Sequence, residues 1–324
     1  MMNFSIKAPS RLHFGLLSFG NPNVPAYGGA GVMIDQPVLE LKCSPNNAFE
    51  TGGELSERIV HFAEAWSDYH QSEIPSCYLE SIGTKYAHQG LGHGTQLALA
   101  TATALNLVAK ISEPSPEELA ASVGRGRRSA IGTYGFRYGG FIYESGRKAD
   151  ETFSKLSSQH PFPEQWKFLL IMQPQLAGCH GQAESKAFEN IPPVSEATTR
   201  KLNEILTTLL IPALTKCDFA AFSDALYDYG HLAGLCYESV QGGAYMSRLN
   251  DQIVDTLRAD GVFGVGQSSW GPTLFALCQN TAQAKQSQEN LQNQFKDQAF
   301  EYLIASPINH GAMLRDCHET YSSS

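Results

Sequence analysis

Hydrophobic and polar residues alternate at the start of the chain and then give way to longer apolar runs. Residues 3–8 (Asn-Phe-Ser-Ile-Lys-Ala) alternate with the period of two that is typical of a β-strand. The small apolar residues of 97–105 predict a buried helix. Further strands are predicted at 38–43, 141–143, 166–173 and 301–305, and further helices at about 56–69, 117–124, 182–188, 195–210, 217–237, 246–258 and 281–297. Both halves of the chain therefore mix helices and strands, which predicts an α+β fold.

A polar stretch rich in turn residues, 144–163, divides the chain into two regions of similar length. The 324 residues are enough for two domains, and we place the N-terminal one at 1–155 and the C-terminal one at 156–324. An apolar run at 32–34 is expected to end at the Asp-Gln-Pro turn that follows it. The last dozen residues are expected to be loosely held.

Charge and cysteine content bear on the partners and the compartment of the protein. A net charge of −9 argues against a general binder of nucleic acids or of anionic membranes. Seven scattered cysteines without C-x-x-C spacing predict reduced thiols rather than a disulfide framework or a zinc site. The N-terminus lacks the features of a signal peptide, and no run approaches the roughly 20 apolar residues that span a bilayer. Together these features predict a soluble cytoplasmic protein.

The stretch 89–97 places three glycines within five residues, just before the predicted helix. Glycine loses more backbone entropy on folding than any other residue, so this density indicates a special loop geometry. A glycine loop that leads into a helix N-terminus offers free N–H groups and the positive end of the helix dipole to an anion. The residues predicted to contact a phosphate here are Leu91, Gly92, His93, Gly94, Thr95 and Gln96. The alternative is an ordinary turn with a helix cap.

Three arginines stand out in the glycine-rich segment 124–132, because the net charge of the chain is negative. Arg125, Arg127 and Arg128 carry guanidinium groups, which bind phosphates in a bidentate geometry. We therefore predict that they bind a phosphate, with Arg127 and Arg128 ahead of Arg125. The alternative is a solvated helix end, where the helix dipole favours cations.

Polar residues at the end of the first strand and in a late turn are further candidates. Ser10, Arg11 and His13 lie where the first strand opens toward a site, and one of the three is alternatively directed to solvent. The remaining candidate substrate contacts are Gly28, Gly29, Asp35, His180, Glu184, Gln267, Ser268 and Ser269. The aspartate of this set is alternatively a plain turn residue. The histidine and the glutamate, four residues apart, are alternatively a local pair on one helix face.

Three of these segments occur in a fixed order: 9–11, 90–95 and 264–269. In this order and chemistry the chain resembles the GHMP kinase superfamily of small-molecule kinases over essentially its whole length. The resemblance implies a two-domain fold with a ribosomal-protein-S5-like N-terminal half and a ferredoxin-like C-terminal half. Within the superfamily, residues 8–15, 92–96, 124–129 and 264–273 are most similar to the β-ribofuranosylaminobenzene 5'-phosphate synthase family.

The narrower resemblance implies a reaction between phosphoribosyl pyrophosphate and a para-substituted benzoate, in methanopterin-type cofactor synthesis. The reaction forms a C-riboside and releases pyrophosphate and carbon dioxide. We expect catalytic roles for Arg11, His13, Arg127 and Arg128, Mg²⁺ as the cofactor and a homodimer as the assembly. The alternatives are an ATP-dependent small-molecule kinase and a non-catalytic sugar-phosphate sensor.

Two departures from the kinase pattern favour the synthase. A kinase of this superfamily usually carries Gly-Leu-Gly-Ser-Ser in its second motif, but His93 and Gly94 occupy the two serine positions here. Many of these kinases place an acid in the region that corresponds to 124–132, which here has three arginines and no carboxylate. Cations beside an anion-binding loop suit a donor with phosphates at both ends better than a neutral alcohol.

Overall fold

The computed structural model describes residues 3–82, 89–176 and 191–317. These residues form a seven-stranded sheet and a four-stranded sheet, with helices packed against both. The mixture of helices and strands in both halves confirms the predicted α+β class. Within the described residues, no helix combines the length and the apolarity that a membrane span requires. The helix predicted at 182–188 lies outside the described residues.

Two long antiparallel strands, β1 (Phe4–Ser18) and β2 (Tyr27–Ser44), form the centre of the seven-stranded sheet. The shorter strands are β3 (Glu50–Gly52), β4 (Tyr78–Ile82), β5 (Phe141–Glu144), β6 (Leu156–His160) and β11 (Met313–Asp316). Two strands pair with the edge of β2 that faces away from β1: β5 pairs with residues 29–32 and β4 pairs with residues 40–44. β11 extends the sheet beyond β1, β6 pairs with β5, and β3 lies parallel to β4.

The four-stranded sheet belongs to the second half of the chain and is antiparallel throughout. Its strands are β7 (Lys167–Met172), β8 (Val265–Gln267), β9 (Leu274–Cys278) and β10 (Glu301–Ala305), in the spatial order β10-β7-β9-β8. The two central strands are almost entirely buried, which explains why they are continuous apolar runs rather than alternating ones.

Helices cover both sheets. In the first half they are α1 (Ser56–His70), α2 (His93–Ala109), α3 (Pro116–Ser122) and α4 (Ile131–Tyr138). In the second half α5 (Glu196–Glu204) runs through a π-helical segment (Ile205–Leu210) into α6 (Ile211–Thr215), followed by α7 (Phe219–Leu235), α8 (Glu238–Gln241), α9 (Arg248–Ala259) and α10 (Thr281–Gln294). The small residues of α2 are buried over most of its length, as the sequence predicts.

An aromatic core connects the two sheets. Phe14 of β1 lies 5.5 Å from Phe275 of β9 and 6.2 Å from Phe141 of β5, measured between ring centroids. Phe222 of α7 packs on the same core, 6.5 Å from Phe141. Because Phe14 follows His13 directly, this packing fixes the part of β1 that carries the candidate polar residues.

The sequence does not predict α4, because its residues Ile-Gly-Thr-Tyr-Gly have low helix propensity. Packing stabilises the helix instead. A Cβ atom on Gly135 would lie 2.2 Å from the sulfur of Met33, so the glycine permits a close contact between α4 and β2. This tertiary contact outweighs the local preference.

Two expectations about the strands are wrong. β2 continues through Pro37, because the proline lies at a register shift opposite Ala8 and Ser10, where its missing N–H is tolerated. Residues 313–316 form β11 and pair with β1 rather than being loosely held. The domain boundary at residue 155 stays a prediction, and the seven-stranded sheet includes β6 and β11, which both follow it.

Candidate active site

Backbone and hydroxyl hydrogen bonds bring three distant segments together. The N–H of Arg11 donates to the carbonyl of Leu91 over 2.9 Å, which ties β1 to the glycine loop. The Ser268 hydroxyl donates to the carbonyl of Gly90 over 2.9 Å and accepts the N–H of His13 over 3.1 Å. The segments at 10–15, 89–96 and 267–271, which sequence reasoning selected separately, therefore form one structural unit.

The close packing of this unit requires glycine at two positions of the loop. Gly90 and Gly92 both have positive φ angles, of 81° and 77°. A Cβ atom on Gly90 would lie 2.5 Å from the carbonyl oxygen of Ser268, and one on Gly92 would lie 2.8 Å from Nε of Arg11. Gly92 is also the N-cap of α2, and its carbonyl accepts the N–H groups of Thr95 and Gln96 over 2.9 Å and 3.1 Å, so the positive end of the helix dipole begins at this glycine.

A cavity of about 330 Å³ opens beside this unit, between the N-terminus of α2 and the loop before α4. Four arginines line it, and none of its described lining residues is an aspartate or a glutamate. It is therefore a strongly cationic cavity, suited to an anion with several charges. The residues that line it are Arg11, His13, Leu16, Thr95, Gly124, Arg125, Gly126, Arg127, Arg128, Ser129, Gly132, Tyr237, Ser269 and Trp270.

The predicted arginine cluster does lie against the glycine loop. Nη2 of Arg125 donates to the carbonyl of Gly94 over 3.1 Å, and its guanidinium lies 5.0 Å from the ring centre of Phe62. These contacts hold Arg125 in place between α1 and α2. Arg127 and Arg128, from the same loop, line the cavity.

Arg58 of α1 is a cation that sequence reasoning missed. A Cβ atom on Gly94 would lie 2.5 Å from Nη2 of Arg58, so this guanidinium touches the first turn of α2. Burial lowers the pKa of Arg58. Among the described residues its guanidinium has no hydrogen-bond or ion-pair partner. The sequence gives no signal for it, since it is a single arginine in an amphipathic helix.

His13 is held in one tautomer. Its Nδ1 accepts the N–H of Gly15 over 3.1 Å, so in the neutral ring Nε2 carries the proton. Nε2 lies 3.2 Å from the Ser129 hydroxyl and donates to it. Burial, with a smaller effect from Arg11, holds the pKa of His13 well below its ordinary value of 6.5. At neutral pH His13 is therefore an uncharged hydrogen-bond donor, and its ring lone pair, on Nδ1, already accepts the N–H of Gly15.

Glu144, at the end of β5, is an acid that the sequence did not single out. It is fully buried, and its Oε2 accepts the N–H of Ala130 over 2.7 Å. Burial raises the pKa of this carboxyl, and the neighbouring Ser129 hydroxyl and Ala130 N–H oppose the rise. Glu144 therefore lies behind the arginine loop and does not line the cavity.

Known proteins share the fold of this chain and part of its sequence. A family model described as GHMP kinases C terminal matches residues 210–297. The structure of homoserine kinase from Cytophaga hutchinsonii has a TM-score of 0.70 at 14% identity, covering 97% of this chain and 98% of that chain. The chain is thus similar to the GHMP kinases over residues 210–297 and to homoserine kinase in its fold.

Two relatives of this chain are curated as beta-ribofuranosylphenol 5'-phosphate synthases. The one from Methanothermobacter thermautotrophicus is 29% identical over 301 residues, which cover 84% of this chain and 88% of the relative. The one from Archaeoglobus fulgidus is 26% identical over 324 residues, which cover 94% of this chain and 97% of the relative. The similarity thus extends over both halves of the molecule.

The two positions that carry serine in the kinase motif hold His93 and Gly94 in this chain. His93 is buried, and its Nε2 lies 2.9 Å from the Ser10 hydroxyl. That hydroxyl in turn donates to the carbonyl of Pro37 over 2.5 Å. Neither His93 nor Ser10 lines the cavity, and both connect α2 to the central strands.

Other predicted residues also take part in packing outside the cavity. Gln96 donates to the carbonyl of Gly132 over 2.9 Å and so ties α2 to α4. Oδ1 of Asp35 accepts the N–H of Ser306 over 2.7 Å, which links β2 to the segment after β10. Oε1 of Gln267 accepts the N–H of Met246 over 2.8 Å.

Of the remaining predicted residues, Leu91 is buried in the core and Thr95 and Ser269 line the cavity. Gly28 and Gly29 lie in β2, where Cβ atoms would meet backbone atoms of Gly146 and Gly15 at 2.6 Å and 2.2 Å. The predicted contacts His180 and Glu184 lie outside the described residues.

The described residues do not form a site for a metal ion of the expected kind. They include no group of three histidine, cysteine, aspartate or glutamate side chains that could hold one. Mg²⁺ prefers carboxylate and other oxygen ligands, whereas the side chains around the cavity are cationic, aromatic or small. The donor set described here does not fit a protein-held Mg²⁺.

Proposed function

We propose that this protein condenses phosphoribosyl pyrophosphate with 4-hydroxybenzoate or 4-aminobenzoate. The product is a β-ribofuranosyl-arene 5'-phosphate, formed with release of carbon dioxide and pyrophosphate in methanopterin-type cofactor synthesis. The observation that carries the proposal is the cavity with four arginines and no described carboxylate, in a chain similar to curated synthases. The reaction makes it a pentosyltransferase.

The cationic cavity suits the donor. When pyrophosphate leaves C1 of the ribose, negative charge builds on the leaving group and an oxocarbenium-like centre remains on the sugar. Guanidinium groups stabilise the charge on the leaving group where it develops. The first turn of α2, with Arg58 and Arg125 against Gly94, offers a second place for a phosphate. A donor with phosphates at both ends can use both positions.

An aromatic wall suits the benzoate. Trp270 and Tyr237 both line the cavity, and their ring centroids lie 5.1 Å apart. Trp270 packs on Tyr237, and its position in the cavity lining makes it available to stack on an aromatic substrate. The para substituent of the benzoate pushes electrons to the ring carbon that carries the carboxylate. That carbon attacks the sugar, and loss of carbon dioxide restores aromaticity, so no covalent enzyme intermediate is needed.

One assay tests the proposal. Purified protein receives phosphoribosyl pyrophosphate, Mg²⁺ and carboxyl-labelled 4-hydroxybenzoate or 4-aminobenzoate. We expect labelled carbon dioxide and pyrophosphate in equal amounts, and none when the donor is omitted. ATP consumption with an alcohol substrate and no carbon dioxide would establish a kinase instead. Binding of the donor without turnover would indicate a sensor.

Mg²⁺, the assembly and the compartment belong to the same proposal. Because the described donor set does not fit a held metal, we assign Mg²⁺ to the donor's phosphates in solution and charge neutralisation to the arginines. Free buried thiols at Cys43, Cys77 and Cys278 support a reducing cytoplasm. We propose a homodimer, which sedimentation equilibrium of the purified protein tests.

A further inference from the structure

Glu144 is a buried acid for which the proposed reaction has no stated use. Its side chain is fully buried, Oε2 accepts the N–H of Ala130, and the Ser129 and Ser154 hydroxyls lie close enough to lower the pKa of the carboxyl. A buried carboxyl costs free energy when it ionises, so a purely structural role would favour an amide or an apolar side chain here. Such a carboxyl is retained more readily where it exchanges a proton.

Ser129 connects this carboxyl to the cavity. It lines the cavity, and it lies close enough to Glu144 to lower the pKa of the carboxyl. Since Nε2–H of His13 donates to the Ser129 oxygen, the hydroxyl proton of Ser129 is left to donate elsewhere. The carboxyl of Glu144 is an acceptor on that side, since it already accepts the N–H of Ala130, the residue that follows Ser129.

The other titratable groups near Glu144 do not compete for a proton. Burial raises the pKa values of Tyr134 and Tyr229, so both phenols are neutral at neutral pH. His13 is a weak proton acceptor, because burial lowers its pKa and its Nδ1 already accepts the N–H of Gly15. Arg11 is the charged group that acts on the carboxyl from β1, and it favours the ionised form. Glu144 is thus the group of this set that can accept a proton.

The proposed reaction needs a temporary proton acceptor. As the ring carbon attacks the ribose, electrons flow from the para oxygen and its O–H bond must break. When carbon dioxide leaves, the electron pair of the C–C bond returns to the ring and the oxygen takes a proton back. The hydroxyl of the substrate has its proton both before and after the reaction, so the group that accepts this proton must also return it.

We infer that Ser129 and Glu144 form a reversible proton store for the benzoate hydroxyl. The hydroxyl proton passes to the Ser129 oxygen while the Ser129 proton passes to Glu144, and both transfers reverse when carbon dioxide leaves. Ser129 touches the benzoate, and Glu144 acts through Ser129. His13 orients the Ser129 oxygen. The inference rests on the proposed function and adds the site of proton transfer to it.

The test compares two benzoates in the full-length enzyme. The hydroxyl of 4-hydroxybenzoate is protonated at neutral pH, whereas that of 3,5-difluoro-4-hydroxybenzoate is largely ionised and needs no proton acceptor. Glu144→Gln keeps the shape of the side chain and an acceptor for Ala130 but cannot take the proton. We expect it to lower kcat by about 100-fold with 4-hydroxybenzoate, and to leave kcat for the difluoro compound near that of the wild type.

Two further variants make the result decisive. Ser129→Ala should give the same difference between the two benzoates, and the exposed Glu164→Gln should change neither rate. Calorimetric binding of phosphoribosyl pyrophosphate should be unchanged in Glu144→Gln, which shows that the fold is intact. Equal losses with both benzoates, or no loss with either, would overturn the proton store. A wild-type enzyme that releases carbon dioxide from neither compound would overturn the proposed function, and the proton store with it.

Discussion

Nη2 of Arg125 donates a hydrogen bond to the backbone carbonyl of Gly94 over 3.1 Å. This contact joins the arginine loop to the first turn of α2, where the positive end of the helix dipole lies. Arg58 reaches the same glycine from α1. The synthase hypothesis requires this proximity, because a donor with two phosphorylated ends needs cations and a helix N-terminus within one molecule's length.

Removal of one cavity arginine should weaken donor binding without unfolding the protein. Arg127 is exposed at the rim of the cavity, so Arg127→Ala loses a charge-assisted hydrogen bond to phosphate and little packing. Such bonds contribute about 1.5–3 kcal/mol, and we expect the Kd for phosphoribosyl pyrophosphate to rise by about tenfold or more. Calorimetric titration measures it. The exposed Arg200→Ala is the control, and equal affinities in both variants would remove Arg127 from the site.

Gly92→Ala should disturb both stability and donor binding. The residue has a φ of 77°, and its Cβ would meet the side chain of Arg11. We expect a loss of about 1–2 kcal/mol in the free energy of unfolding, measured by urea denaturation, and weaker donor binding because Arg11 is displaced. Gly243→Ala is a matched control, since Gly243 has no positive φ and a Cβ there meets nothing within 4 Å. Equal stabilities of the two variants would contradict this prediction.

His13 should make the protein sensitive to mild acid. Its pKa is lower in the folded chain than in the unfolded chain, so its stabilising contribution is complete above about pH 6.5 and is lost as the pH falls below that value. We expect this loss to reach about 1.4 kcal/mol at about pH 5.5. Urea unfolding of the wild type and of His13→Gln, at neutral pH and at about pH 5.5, measures this loss of stability. The variant should lose less stability than the wild type, whereas the exposed His310→Gln should lose the same amount. Equal losses in all three proteins would show that His13 is not buried in its neutral form.

Trp270 should affect the benzoate and not the donor. Aromatic stacking contributes about 0.5–1.5 kcal/mol, so Trp270→Ala should raise the KM for the benzoate by up to about tenfold. The KM for phosphoribosyl pyrophosphate should stay the same, and Trp270→Phe should recover most of the loss. Steady-state rates of carbon dioxide release with each substrate varied in turn give both constants. A rise in the KM of the donor alone would place the benzoate elsewhere.

The parts of the site that the sequence predicted are local in origin. Gly90 and Gly92 are needed for positive φ angles and for close backbone contacts, and such needs produce a visible cluster of glycines. The arginines of 124–128 are visible for a similar reason, as a run of like charges among glycines. The local composition of the sequence therefore predicts two loops: the glycine loop that leads into α2 and the arginine loop that lines the cavity.

The parts that the sequence did not predict depend on tertiary contacts. Arg58 and Glu144 come from an amphipathic helix and from the end of an apolar strand, and only the fold brings them to Gly94 and Ala130. The opposite error concerns His93, which follows the glycine loop but turns into the interior to meet Ser10. Sequence reasoning can locate a loop, but it cannot tell which side of that loop faces the cavity.

The most direct test of the arginine cavity is a calorimetric titration of the wild-type protein with phosphoribosyl pyrophosphate and, in parallel, with ATP. If the cavity holds a doubly phosphorylated sugar, phosphoribosyl pyrophosphate binds at one site per chain, and Arg127→Ala combined with Arg128→Ala weakens that binding strongly. ATP should then bind far more weakly than phosphoribosyl pyrophosphate. Tight ATP binding, with no measurable binding of phosphoribosyl pyrophosphate, would contradict the account.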